Sequence, residues 1–261
     1  RVTAHSLVDT TEPPAPPLTP DGSPPWEQVR ERFRYRAGGG WDAAAEFTFP
    51  SDYVPRHDDF VAYARPSFTP GTPVLVVAQD LMQRIFKDFT YESLSTDVST
   101  PAVEALAQRK GVCQDFAHIM IACMRAMGLP ARYVSGYLLT MPPDGQPRLI
   151  GSDASHAWAS VYVPQPAGAG ASALAGDVDT SGWFDFDPTN NRSPGEDYVT
   201  LAIGRDYGDV SPMRGVIHGG ARHTLQVGVT VEPVEAPAVR SQSQSQSQSQ
   251  SQGQSQSQSQ N

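Results

Sequence analysis

Cysteine is scarce in this chain: its 261 residues include only Cys113 and Cys123. Both fall in what reads as one helix, where ten residues at ~1.5 Å each set them about 15 Å apart. A disulfide needs Cα atoms within roughly 7 Å, so the two cannot bridge. Two cysteines alone also fall short of a zinc site, and free thiols in a reduced compartment are expected. Long apolar runs are missing too: nothing approaches the ~20 residues that span a bilayer, and no signal-peptide pattern opens the chain. Positive charge is in deficit, with 19 Lys and Arg against 28 Asp and Glu for a net charge of −9. Such a balance argues against wrapping nucleic acid and against an anionic membrane surface.

The termini carry little folding information. The first residue is Arg1 rather than Met, which reads as a removed segment or a piece of a longer gene product, with cytoplasm as the default location. Ser241 to Asn261 is nearly pure Ser-Gln repeat without an apolar residue, and disorder is expected there. Arg1 to Thr10 reads as a single strand, and Pro13 to Pro25 as a connector. A short helix is expected from Trp26 to Phe33, whereas Arg36 to Thr72 is rich in Gly, Pro and Asp and only partly interpretable.

The pattern sharpens after Pro73. Val77, Leu81 and Ile85 recur at helical spacing within Val74 to Phe89. Ser99-Thr100-Pro101 is a start signal for Ala102 to Gln108. Cys113 to Met127 is strongly apolar and is closed by Gly128 and Pro130. Strands are expected over Ala131 to Thr140, Ala157 to Val163, Trp183 to Phe186, Tyr198 to Ile203 and His223 to Val231. Gln165 to Ser181 reads as a loop bordering a cleft. Helices first and antiparallel strands afterwards imply an α+β fold with a central helix packed on a sheet. The expected organisation is 1–72 as a strand and a Pro/Gly-rich connector, 73–240 as the core, and 241–261 as the tail.

On a helical wheel, Cys113, Phe116, Ala117, Met120, Ile121, Cys123, Met124 and Met127 share one apolar arc. Gln114, Asp115, His118 and Arg125 fall opposite and are expected outside. Cys113 thus sits in the first turn of the buried face, where unpaired N–H groups and the helix dipole favour a thiolate and could stabilise an oxyanion. Cys123, in mid-helix, reads as a small hydrophobe. A thiol nucleophile needs a base and the base an orienting group. His118, five residues along, is turned about 140° away from Cys113 and reads as structural. His156 opens a strand in which alternation puts it on the face of Trp158. Asp185 and Asp187 share a face of an otherwise apolar strand, so one or both should have a partner.

Three ordered blocks carry a resemblance: Gly111-Val112-Cys113-Gln114-Asp115-Phe116-Ala117-His118, Ser155-His156-Ala157-Trp158 and Trp183-Phe184-Asp185-Phe186-Asp187-Pro188-Thr189-Asn190. With Gly128 to Tyr137 and Gly204 to Pro212, they resemble the bacterial transglutaminase-like superfamily over about Pro73 to Glu232. Its core is similar to papain-like proteases and animal transglutaminases. The resemblance implies Cys113 as nucleophile, His156 as general base and Asp187, rather than Asp185, as orienting group. Gln114 and Trp158 are taken as oxyanion or substrate contacts; no metal or cofactor is implied. The expected activity is thiol-dependent hydrolysis of amide or peptide bonds through a thioester acyl-enzyme, with peptide, protein or another amide as substrate. Transglutaminase acyl transfer to an amine is the alternative, and a non-catalytic peptide- or protein-binding scaffold the reading from another class.

Overall fold

The computed structural model describes residues 3–10, 18–92, 100–140, 155–164, 182–211 and 228–234. Residues up to Val231 group as one compact unit and Glu232–Asn261 as another. Within the first unit, α1 is Trp26–Arg32, α2 Asp58–Ala64, α3 Val74–Asp88, α4 Ala102–Gln108, α5 Cys113–Ala126 and α6 Tyr207–Val210. The strands are β1 Thr90–Tyr91, β2 Lys110–Gly111, β3 Ala131–Leu138, β4 Ser155–Tyr162, β5 Trp183–Phe186 and β6 Tyr198–Gly204.

Strands β5-β4-β3-β6 form one sheet in that order, with every pairing antiparallel. Alternation divides the sheet residues between two faces. Ala131, Tyr133, Ala157, Ala159 and Val161 join Phe116, Ala117, Met120 and Met124 of α5 in the main core. Val134, Trp158 and Tyr198 form a smaller cluster on the opposite face. Gly136 is required there by a close approach: a Cβ would lie 2.2 Å from the Val199 carbonyl oxygen and 2.6 Å from the Trp158 ring. The α+β class and the central helix on an antiparallel sheet are as expected.

Two expectations are corrected. Thr3–Thr10 form no strand and are exposed. The core does not begin at Pro73, because Trp26, Val29, Val54, Phe60, Ala64 and Phe68 are buried in the same cluster as α3 and α5. Trp26 also donates from Nε1 to the Thr69 carbonyl at 3.0 Å, and Val74 N–H donates to Pro24 at 2.9 Å. The short helix expected from Trp26 is α1, whereas the Pro- and Gly-rich composition of Arg36 to Thr72 conceals α2, whose brevity leaves little periodicity to read. The expected loop 165–181, the tail 241–261 and most of the strand from His223 to Val231 lie outside the described residues.

The polar side of α5 is the third correction. Asp115, His118 and Arg125 are buried, not solvated. The segment around Ser51 and the β6–α6 corner cover His118 and Arg125. Arg125 donates to the carbonyls of Ala131, Phe49 and Arg205 and to Ser51 Oγ, at 2.6–3.2 Å. His118 Nε2 accepts from Tyr207 N–H at 3.1 Å, and its ring stacks on Tyr53 at 5.5 Å. From Asp115 to Arg125 helix α5 is therefore enclosed, with its polar side satisfied by protein groups rather than by water.

Candidate active site

The turn that delivers Cys113 is built by its immediate predecessors. Arg109 ends α4 in the left-handed region at φ 56°. Its guanidinium lies 4.3 Å from the Tyr63 ring centroid and 5.0 Å from that of Phe89, contacts that offset the backbone strain. The chain then runs through β2, which pairs in parallel with β1, Tyr91 facing Gly111. Asp115 Oδ2 accepts from Val112 N–H at 2.8 Å, folding back on the first turn of α5 as in half a capping box. Gly111 makes this possible: a Cβ there would lie 2.6 Å from Asp115 Oδ2. Cys113 is the first residue of α5 and half-buried, while Cys123 is enclosed and burial pushes its thiol well up.

His156 is held at the start of β4, opposite Gly136 of β3. Asp187 follows β5 and bridges to Arg192, accepting from and donating to its backbone. The hairpin needs a left-handed residue, and Asn191 supplies it at φ 52°. Asp187 Oδ1 accepts from the backbone N–H groups of Thr189 at 2.8 Å and Asn190 at 3.3 Å, an Asx turn encoded in Asp-Pro-Thr-Asn. Its Oδ2 lies 2.7 Å from His156 Nε2 and accepts from Asn190 Nδ2 and Tyr198 Oη, also at 2.7 Å. Asp187 is fully enclosed, so these donors replace water entirely.

The electrostatics follow. Burial acts to hold the His156 imidazolium down, but hydrogen bonds with Asp187 and Cys113 and the charges of both outweigh it. Its pKa rises from the ordinary 6.5 to about 9. Burial acts to raise the Asp187 carboxyl, yet the His156, Tyr198 and Asn190 bonds prevail and hold it below its usual range. Because Asp187 occupies Nε2, Nδ1 is the nitrogen left to face Cys113. Burial instead takes His118 down to about 3, so it is neutral at physiological pH.

The structure thus brings Cys113, His156 and Asp187 together and leaves His118 apart. Asp185 lies on the same face as Asp187 but is half-buried near Ser160, Trp158 and Arg132, and burial raises its carboxyl. Gln114 sits half-buried beside Cys113. Trp158 is enclosed, its ring 6.2 Å from that of His156, and packs edge-on against Tyr198. Tyr198 and Asn190 escaped notice in the sequence. Asn190 was visible within the third block, while Tyr198 looked like one more apolar strand residue. Among the described residues, no group of three or more His, Cys, Asp and Glu is placed to hold a metal ion.

The family model of the transglutaminase-like superfamily matches residues 62–188, a span holding all three side chains. An uncharacterized protein of Mycobacterium tuberculosis is 43% identical over 243 residues, covering 92% of this chain and 72% of that one. This chain belongs to the transglutaminase-like superfamily. A solved protein from Cytophaga hutchinsonii, provisionally assigned as a cysteine protease, superposes with a TM-score of 0.51 at 28% identity. The match covers 70% of this chain and 54% of that one, so the chain spans about half of that relative's length. A protein-glutamine gamma-glutamyltransferase of Pseudomonas aeruginosa is 27% identical over 124 residues, 44% of this chain and 16% of that protein. At the level of the superfamily, these likenesses support thiol-dependent action on amide bonds.

Proposed function

We propose that this chain hydrolyses amide or peptide bonds through a thioester on Cys113. The observation that carries the reading is the 2.7 Å contact of His156 Nε2 with the enclosed Asp187 carboxylate, which turns the other imidazole nitrogen toward the half-buried cysteine. Such a contact fixes the tautomer and orientation that a base needs. In the first half-reaction the Cys113 sulfur, its proton passed to His156, attacks the carbonyl carbon. The oxyanion forms at the N-terminus of α5, where the helix dipole opposes its charge. Gln114, adjacent to the nucleophile, is the side chain we assign to the oxyanion or the substrate.

Collapse of the tetrahedral adduct breaks the C–N bond, and His156 gives its proton to the departing amine. Water then attacks the thioester, His156 takes its proton, and the C–S bond breaks to release acid and regenerate the sulfur nucleophile. The same acyl-enzyme can pass its acyl group to an amine instead of water. Likeness to the Pseudomonas glutamyltransferase keeps this as the second reading.

The test offers the purified chain a mixed peptide and amide library, with and without a labelled primary amine, and follows products by mass spectrometry. Hydrolysis predicts free acids and a transient adduct on the Cys113 peptide. Amine incorporation at the expense of acid would move the assignment to transfer. An adduct that persists in Cys113→Ala would overturn both.

A further inference from the structure

Asp187 and His156 are set at the ends of separate strands, and a third strand reaches them through one side chain. Tyr198 opens β6, facing Leu138 of β3, with its backbone N–H donating to the Gly195 carbonyl at 3.0 Å. Its ring is wedged edge-on against Trp158 at 5.4 Å and lies 5.9 Å from the His156 ring. Its hydroxyl donates to Asp187 Oδ2, the oxygen that also meets His156 Nε2. We propose that Tyr198 is a positioning residue of the reacting centre, its hydroxyl fixing Asp187 Oδ2 in line with His156 Nε2. The inference rests on Cys113, His156 and Asp187 being the reacting group.

The geometry goes beyond what a packing tyrosine requires. The small cluster of Val134, Trp158 and Tyr198 is apolar, and a phenylalanine ring would complete it. The hydroxyl instead meets a carboxylate already receiving two backbone N–H groups on its other oxygen. Those two bonds determine where Oδ1 sits; the tyrosine and Asn190 determine the rotation that brings Oδ2 to the imidazole. The charged and titratable groups facing this centre come from each packed element. Cys113 of α5 lies across His156, and Asp185 of β5 lies two residues before Asp187. Arg192 places its guanidinium 4.7 Å from the Tyr198 centroid and is itself paired with Asp197. None of these replaces the hydroxyl as a donor to Oδ2.

The hydroxyl bond favours the ionised carboxylate, so its loss should let Asp187 take a proton at higher pH. A neutral Asp187 no longer anchors the imidazolium, and the reactivity of Cys113 falls with it. The experiment measures the rate of Cys113 alkylation by iodoacetamide from pH 3 to 10, in the wild-type chain and in Tyr198→Phe. The acid limb should move up by about one pH unit in the variant, the scale of one hydrogen bond to a charged group. A superimposable profile, or a uniform fall with the limb unmoved, would reduce Tyr198 to packing and overturn the proposal. If Tyr198→Phe does not fold, 3-fluorotyrosine at the same position retains the ring and strengthens the donor. The limb should then move down, and an unmoved limb overturns the proposal equally. Alkylation needs no amide substrate, so a shifted limb in a chain that cleaves no amide would sink the proposed function alone.

Discussion

Asp187 accepts hydrogen bonds from five donors, and one of them, His156 Nε2, belongs to the proposed base. Asp187→Asn retains the Asx turn through its amide oxygen but presents an NH2 to the imidazole. The fold should persist, with an unfolding midpoint near that of the wild type. Acylation of Cys113 should slow by about 10²- to 10⁴-fold, as when a triad carboxylate is neutralised elsewhere; stopped-flow or quench measurement of the acyl adduct checks this. His156 carries its proton up to about pH 9, and the departing amine needs that proton. The alkaline limb of kcat/KM for acylation should therefore lie near pH 9, and a limb near 6.5 would mean that Asp187 and Cys113 do not hold the imidazolium.

Strands β3 and β4 carry the site through one missing side chain. Gly136 sits opposite His156, with the Trp158 ring and the Val199 carbonyl against its Cα. Gly136→Ala should cost about 1–3 kcal/mol of stability, the usual range for overpacking. It should also slow acylation, because Trp158 and β6 must move and both bear on the His156–Asp187 contact; urea unfolding and adduct kinetics on the same preparation report the two effects. The elements were legible where a period is long enough to detect. The expected helix over Val74 to Phe89 is Val74–Asp88, and that over Cys113 to Met127 is Cys113–Ala126. The apolar arc of α5 was correct, but its polar arc was misplaced outside. A wheel marks which residues avoid an apolar surface, and it cannot distinguish water from a protein segment that satisfies them. Arg125 illustrates this: its acceptors are backbone carbonyls of Phe49, Ala131 and Arg205, which no side-chain pattern encodes.

At the scale of the molecule, the segment before Pro73 completes the core rather than connecting to it. A chain starting at Pro73 would lose Trp26, Val29, Phe60, Ala64 and Phe68 from the main cluster. It would also leave Arg125 without its acceptors on Phe49 and Ser51. Such a chain should be unfolded or aggregated, whereas one starting at Leu18 should melt cooperatively; circular dichroism during heating separates the two outcomes. Cys113, His156 and Asp187 come from α5, β4 and the turn after β5, so each contact depends on that whole core being assembled.

The enclosed His118 has a cost that falls on acid tolerance. In the unfolded chain it takes a proton near pH 6.5, but in the folded one not until about pH 3. Its contribution to stability is present above 6.5 and drains away as pH falls toward 3. His156 behaves in the opposite sense: its folded value near 9 contributes stability below 6.5 that is lost as pH rises through 9. These two imidazoles together should place a stability maximum close to pH 6.5. Replacing His118 with an uncharged residue that still accepts from Tyr207, such as Gln, should flatten only the acid side of that curve. The domain would thus be acid-labile by construction, a property set by the ring that anchors the rear of α5 rather than by Cys113, His156 and Asp187.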